Sequence, residues 1–203
     1  MKRLTKKSVG LDAYTRKSRL RGFTLIELMV TIAIAAVLLM LAAPSFVDFR
    51  RNSELTSTTN TLTASLNAAR SEAMKYGAFA MIVPRDNSNW RTGWRVFVDK
   101  NLNQVFDDGV DELVLEQGDL ANFLSITGNG SAAESPPYVI YNGSGYSRTK
   151  NGAFGALTFT IQRNDVPSAK ADEQTRRLIV SRTGRVRSCR PKQDATCGAS
   201  ATD

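Results

Sequence analysis

Hydrophobic positions along this chain follow three successive patterns. From Phe23 to Ala43 nearly every residue is apolar, with Thr24, Glu27 and Thr31 as the interruptions. From Leu55 to Ala73 the apolar residues thin out to Leu55, Leu62, Leu66, Ala69 and Ala73, while Arg50, Arg51, Glu54, Thr58, Arg70 and Glu72 cover the rest. Beyond Ala78, short runs of Val, Ile, Phe and Tyr alternate with Gly, Asn, Asp and Pro. The first pattern predicts a helix of roughly 31 Å at about 1.5 Å per residue, the thickness of a bilayer core. The second has the spacing of one helix face and predicts an amphipathic helix to about Tyr76, with Gly77 as its C′ stop. Pro44, which lacks an N–H, should bend the helix where it leaves the membrane. The third predicts strands at Ala78–Val83, Trp94–Val98, Glu112–Leu115, Phe123–Ile126, Tyr138–Tyr141, Leu157–Gln162, Arg177–Arg182 and Arg185–Cys189. Residues 128–136 and 144–155 read as flexible surface loops. There is no second long helix and no internal repeat. A sheet system packed on the stripe of one helix of roughly 54 residues is an α+β architecture.

Glu27 changes the picture of the apolar run. Phe, Leu, Ile and Val residues there contribute on the order of −5 kcal/mol to insertion. A carboxylate at mid-membrane costs about 3 kcal/mol, less near a helix end. The helix can therefore insert, but its acid needs a cationic partner, and Phe23–Ala43 contains no Lys or Arg. Ahead of it, Lys2, Arg3, Lys6, Lys7, Arg16, Lys17, Arg19 and Arg21 face a single acid, Asp12. That asymmetry keeps the N-terminus cytoplasmic. A secretory signal peptide fits poorly: its apolar region is shorter, and the small-residue site here, Leu41-Ala42-Ala43, runs straight into Pro44. An ordinary uncleaved anchor is the other plain reading.

Gly22-Phe23-Thr24-Leu25-Ile26-Glu27 resembles the prepilin motif of type IV pilins and type II secretion pseudopilins, and the likeness covers leader, apolar helix and Pro44. The resemblance implies that a prepilin peptidase cuts between Gly22 and Phe23 and methylates the new amine of Phe23. It implies further that Glu27 meets the N-terminal amine of a neighbouring subunit in the fibre, the cation that the helix itself lacks. On this reading residues 1–22 are a cleaved leader and 23–43 a transmembrane and fibre-core helix. Residues 44–76 continue as an amphipathic helix into a β-rich periplasmic or extracellular head, 77–203.

The formal net charge of +8 belongs almost entirely to that leader. What remains is uneven. Residues 44–175 are slightly acidic, whereas Arg176, Arg177, Arg182, Arg185, Arg187, Arg190 and Lys192 make the C-terminal stretch basic. The two cysteines, Cys189 and Cys197, lie outside the cytoplasm by the orientation argument, where disulfides persist. They are expected to pair and close a small loop, stabilising by about 2–3 kcal/mol. Two Cys with no His cannot make a four-ligand zinc site.

Further segments narrow the resemblance. Ala68-Ala69-Arg70-Ser71-Glu72-Ala73, Gly93-Trp94-Arg95-Val96-Phe97-Val98-Asp99 with its Asn/Asp-rich turn, and Thr183-Gly184-Arg185-Val186-Arg187 look like the GspH/FimT type of minor pilin and pseudopilin. The turn Asp99–Asp107 places oxygen side chains at alternate positions, as a calcium loop begins. However, Gln104 stands where a Gly is wanted, and Val110 where the bidentate Glu belongs, so turn-capping by Asn101, Asn103 and their neighbours is the competing reading. Arg185 and Arg187 share a strand face about 7 Å apart, and Arg190 and Lys192 follow. Such a row suits a phosphate backbone. In FimT-like minor pilins of competent bacteria a Gly-Arg-x-Arg-x-Arg motif is implicated in DNA binding. Here Cys189 takes the third Arg position. A charged edge strand, or a patch meeting other pilins, is the plainer alternative.

Nothing in the sequence points to an enzyme, a metal or a cofactor: there is no His, no nucleophile–base pair and no Gly-rich phosphate loop. Trp90 and Trp94 read as core and rim. The expected function is a minor type IV pilin acting in pilus assembly, with DNA uptake and a type II secretion pseudopilus as alternatives. The expected partners are prepilin peptidase, other pilins, the inner membrane and, on the second reading, DNA.

Overall fold

The computed structural model describes residues 22–200, without the side chains of residues 41, 43 and 44. The expected leader, Gly22 apart, lies outside the described residues, as does the side chain of Pro44, where a bend is expected. The chain divides into two units, up to Phe46 and from Val47 onward, and each is described by itself.

Helix α1 runs Leu25–Tyr76 over 52 residues. Thr24 caps it: its Oγ1 accepts the Glu27 N–H at 3.2 Å, and its carbonyl accepts the Leu28 N–H at 3.1 Å. Glu27 therefore sits in the first turn, where the helix dipole favours a negative charge. Every side chain from Leu25 to Met40 is exposed. Among the described residues no single helix is long and apolar enough to cross a membrane; Leu25–Met40 and Ser45–Tyr76 meet that test only when taken together. The span expected over 23–43 thus rests on length and composition. At the other end Lys75 lies in the last turn and Gly77 follows at φ 63°.

In the unit from Val47 onward, the stripe Leu55, Leu62, Leu66, Ala69 and Ala73 is fully buried. Thr58, expected on the outer face, is buried too, with Thr59 and Ser65. Thr59 and Ser65 are tolerated there because their hydroxyls find partners. Thr59 Oγ1 donates to the Leu55 carbonyl (2.7 Å) and Ser65 Oγ to that of Thr61 (2.9 Å), the back-bonding open to Ser and Thr in helices. Ser65 Oγ also accepts Trp94 Nε1–H at 2.8 Å.

Among the described residues nine strands follow: β1 (Phe79–Pro84), β2 (Trp94–Asp99), β3 (Glu112–Gln117), β4 (Leu124–Gly128), β5 (Val139–Tyr141), β6 (Ser147–Arg148), β7 (Leu157–Arg163), β8 (Thr175–Val180) and β9 (Val186–Cys189). They form two antiparallel sheets rather than one, ordered β3-β2-β1-β5-β6 and β4-β7-β8-β9. The Ser147 N–H links them, donating to the Arg182 carbonyl at 3.1 Å. One core holds the helix stripe and residues of both sheets, among them Ile82, Val96, Phe159 and Leu178. Trp90 and Trp94 both belong to it. Trp90 donates to the Ala132 carbonyl at 2.9 Å and meets Phe159 edge to face at 4.9 Å.

Two loop expectations are corrected. Residues 128–136 are no loose surface loop: Gly130–Ala133 form a 3₁₀ turn with Ser131 and Ala132 buried, the latter under Trp90. The stretch 144–155 contains β6, whose Ser147 is buried. The carboxylates of the Asp99–Asp107 turn cap its backbone. Asp99 is fully buried and accepts the Asn103 and Gln104 N–H groups at 3.2 and 2.9 Å. Asp107 accepts the Asn101 side-chain amide at 2.8 Å and that of Asn103, and Asp111 accepts the Lys100 and Asp107 N–H groups at 3.0 and 2.8 Å. N–H donors occupy the carboxylates that a cation would need, and among the described residues no group of three or more acids, His or Cys is placed to hold a metal.

Arg163, at the end of β7, has its side chain 2% exposed. Its Nε and Nη2 donate to both carboxylate oxygens of Asp165 at 2.8 Å, and Nη2 also reaches Asp48 of α1 at 3.0 Å. Arg51 adds a contact to Asp165 at 2.6 Å. Arg163, first of all, holds the Asp165 carboxyl down to about 2 from its ordinary 3.8. A carboxyl whose folded pKa is depressed stabilises fully above its unfolded value and loses that contribution as pH falls through the folded one. The head is therefore expected to lose on the order of 2 kcal/mol between about pH 4 and pH 2 through this group. In thermal melts against pH, Asp165→Asn should flatten that acid limb; a variant that follows wild type below about pH 4 contradicts the assignment.

Candidate functional site

Two regions expected to act are formed very differently. At the N-terminus Phe23 is 81% exposed. Glu27 is exposed as well, and its carboxylate makes no hydrogen bond or ion pair among the described residues. Its backbone N–H serves the cap.

The second region is a cleft of about 720 Å³ lined by Tyr146, Phe154, Ile179, Ser181, Arg182, Thr183, Arg185 and Arg187. Local chemistry builds its two rims. Asn142 Oδ1 accepts the Ser144 and Tyr146 N–H groups at 3.2 and 2.9 Å and so shapes the turn carrying Tyr146. The opposite rim is the turn between β8 and β9, closed by Gly184 N–H to Ser181 O at 2.9 Å and Ser181 N–H to Arg185 O at 3.0 Å. Arg70 of α1 clamps the two together, with Nε donating to Gly145 O at 3.0 Å and Nη2 to Thr183 O at 3.2 Å.

Gly184 makes the junction possible. It has φ 78°, and a Cβ there would stand 2.0 Å from the Gly145 carbonyl oxygen. The Gly before the two arginines is thus a close-approach residue that sets Arg185 beside Tyr146. Gly184→Ala is expected to cost about 2 kcal/mol or more, several degrees of melting temperature. Gly152→Ala is the control, because Gly152 has φ 85° with open space around it. Equal losses in the two variants would contradict the close-approach role.

The four basic residues singled out from the sequence do not form one patch. Arg185 and Arg187 line this cleft, but Arg190 and Lys192 line a separate hollow with Glu173 and Gln193. Arg185 lies in the turn before β9 and is exposed; its carbonyl closes that turn, and its guanidinium makes no hydrogen bond or ion pair among the described residues. Arg187 is engaged. The Cys189–Cys197 disulfide is formed, and its loop folds back so that Arg187 Nη1 meets Asp194 and Thr196 Oγ1, both at 3.1 Å, while Nη2 donates to the Thr196 carbonyl at 3.1 Å. The hydroxyl and N–H of Thr196, ahead of Arg187, hold the Asp194 carboxyl below the usual carboxylate range. Lys192 approaches Glu173 at 3.9 Å. Arg182, Tyr146 and Phe154 were missed from sequence, the two aromatics because they fall in a stretch read as loop. Their signal was that exposed aromatics sat among Gly, Ser and Asn.

Comparison with known proteins follows this division. Residues 58–184 match the family described as type II transport protein GspH, and residues 17–43 match the prokaryotic N-terminal methylation motif. The type IV major pilin protein PilA of Myxococcus xanthus (strain DK1622) is 40% identical over 65 residues, 30% of this chain and 30% of PilA, so the chain covers under a third of that relative. Among solved structures, the type IV minor pilin FimU of Pseudomonas aeruginosa (strain PAO1) superposes with TM-score 0.51 at 21% identity, over 68% of this chain and 90% of FimU. The minor pseudopilin EpsH of the Vibrio cholerae type 2 secretion system gives a TM-score of 0.47 at 15% identity, over 68% of this chain and 98% of EpsH. The likeness to FimU shows the fold: one N-terminal helix packed on antiparallel sheets. The GspH match spans more than half of the chain, and with the methylation motif ahead of it the chain belongs to the GspH family of type IV pilin-like minor pilins and pseudopilins.

Proposed function

We propose that this chain is a minor pilin of a type IV pilus, processed between Gly22 and Phe23, methylated on Phe23, and built into the fibre to support its assembly. It waits in the inner membrane with a cytoplasmic N-terminus and moves from there into the pilus. The carrying observation is the helix surface: every side chain from Leu25 to Met40 is exposed, and in its first turn stands Glu27, whose carboxylate has no partner among the described residues. That surface is suited in turn to lipid and to other pilin helices, an exchange nearly neutral in hydrophobic terms. Glu27 then sets register through a neighbour's amine. The role is structural, not catalytic. A strain lacking the protein should lose surface pili and keep type II secretion; normal pili with lost secretion would make it a pseudopilin instead.

The cleft favours a second role, DNA binding by the head during uptake, with Arg185 as the open contact and Arg187 beside it. Its test is a gel shift at rising salt. Arg185→Ala/Arg187→Ala should weaken DNA binding by roughly tenfold and flatten the salt slope by about two. Unchanged binding excludes the cleft.

A further inference from the structure

The cleft is built from more than cations. Tyr146 and Phe154 form one wall, 41% and 51% exposed, their rings edge to face with centroids 5.5 Å apart. Arg148 covers Phe154, its guanidinium 3.8 Å from the ring centroid and its Nη1 bonded to the Gly152 carbonyl at 2.9 Å. Arg148 thus holds Phe154 in place, and both rings line the space shared with Arg182, Arg185 and Arg187. Large exposed aromatics cost solubility and are ordinarily turned inward. Here two of them border arginines.

We propose that this cleft binds single-stranded DNA, with an unpaired base on the Tyr146–Phe154 wall and the flanking phosphates on Arg185 and Arg187. The inference rests on the DNA-binding reading above and names the form of DNA taken. Three observations carry it. A duplex hides its base faces in the stack, whereas a single strand presents them, and aromatic rings beside a basic groove bind any base by its π-face. A cleft of about 720 Å³ lies in the range of sites that enclose small-molecule groups, which admits a splayed nucleotide. The arginines line the same cleft, so a base against the rings leaves its phosphates within reach of guanidinium groups. Asp194 already occupies the anion position of Arg187. Both side chains of that pair are about one-third exposed, 36% and 34%, so the ion pair itself contributes little, and a phosphate can take the place of Asp194 while the Thr196 contacts hold the guanidinium. Asp194 thus acts as an internal competitor.

The test uses the full processed chain in detergent, with fluorescence anisotropy of a labelled single-stranded oligothymidine, a hairpin duplex of similar length, and poly-glutamate as a polyanion without bases. The expected result is single-strand binding about tenfold tighter than duplex, an advantage lost in Tyr146→Leu/Phe154→Leu. Asp194→Asn should tighten both. An oligonucleotide carrying 2-aminopurine gives a readout on the wild type that needs no variant, since its fluorescence is quenched when it stacks on the wall. Equal affinity for the two forms, or no quenching on binding, overturns the single-strand inference and leaves the DNA reading standing. Binding of poly-glutamate but of neither DNA removes both and assigns the cleft to an acidic protein segment.

Discussion

Glu27→Ala is expected to leave the chain in the membrane and nearly abolish its place in the fibre. The two halves of that result have separate causes. Removing a carboxylate from an apolar helix makes insertion easier by up to about 3 kcal/mol, so the membrane pool should not shrink. In the fibre the same carboxylate is proposed to face the Phe23 amine of a neighbour in apolar surroundings. Losing one partner there strands a charge, at about 3 kcal/mol or more, roughly a hundredfold in the incorporation equilibrium. The structure adds a control. Glu27 is also the N3 residue of the cap made by Thr24, but the cap uses its backbone N–H, which alanine retains. Thr24→Ala should therefore loosen the first turn by about 1 kcal/mol without the hundredfold loss. Immunoblots of membrane and sheared-pilus fractions check both; equal fibre content in Glu27→Ala and wild type would sink the assembly contact.

Arg163→Ala should be the most destabilising single change in the head outside its apolar core. The guanidinium is nearly excluded from water and spans Asp165 and Asp48. Removing it leaves Asp165, itself only 17% exposed, with Arg51 alone. Breaking such a pair from one side costs about 3–5 kcal/mol. Asp48 contributes little of this, being 73% exposed. Consequently Arg163→Met/Asp165→Asn, which removes both charges and keeps the bulk, should recover most of the loss. Chemical denaturation of the single and double variants tests this; additive losses would contradict a paired origin.

These two residues also mark how far the sequence could be read. The helix stripe was legible because Leu55, Leu62, Leu66, Ala69 and Ala73 repeat at helical spacing, a purely local signal. Eight strands announced themselves through β-branched and aromatic runs. Strand β6 did not, being two residues long and held by the Arg182 carbonyl across the sheet junction. Nor did the burial of Arg163 and Arg176: charged residues read as surface until a distant partner is known, and Arg176 reaches Asn52 across 124 positions at 3.1 Å. The split of the basic patch was hidden for a related reason. Spacing places Arg185 and Arg187 on one side, but only the disulfide loop returning Asp194 and Thr196 to Arg187 separates a held cation from an open one. Gly184 stood in the sequence only as the Gly ahead of Arg185, and its close approach to Gly145 needed the fold.

The reading as a processed fibre subunit is tested most directly by the N-terminal peptide of this protein in sheared pili. Mass spectrometry of those fibres should find it beginning at Phe23 with a methylated amine. Fibres that lack the protein, or contain it with residues 1–22 still attached, would contradict the account.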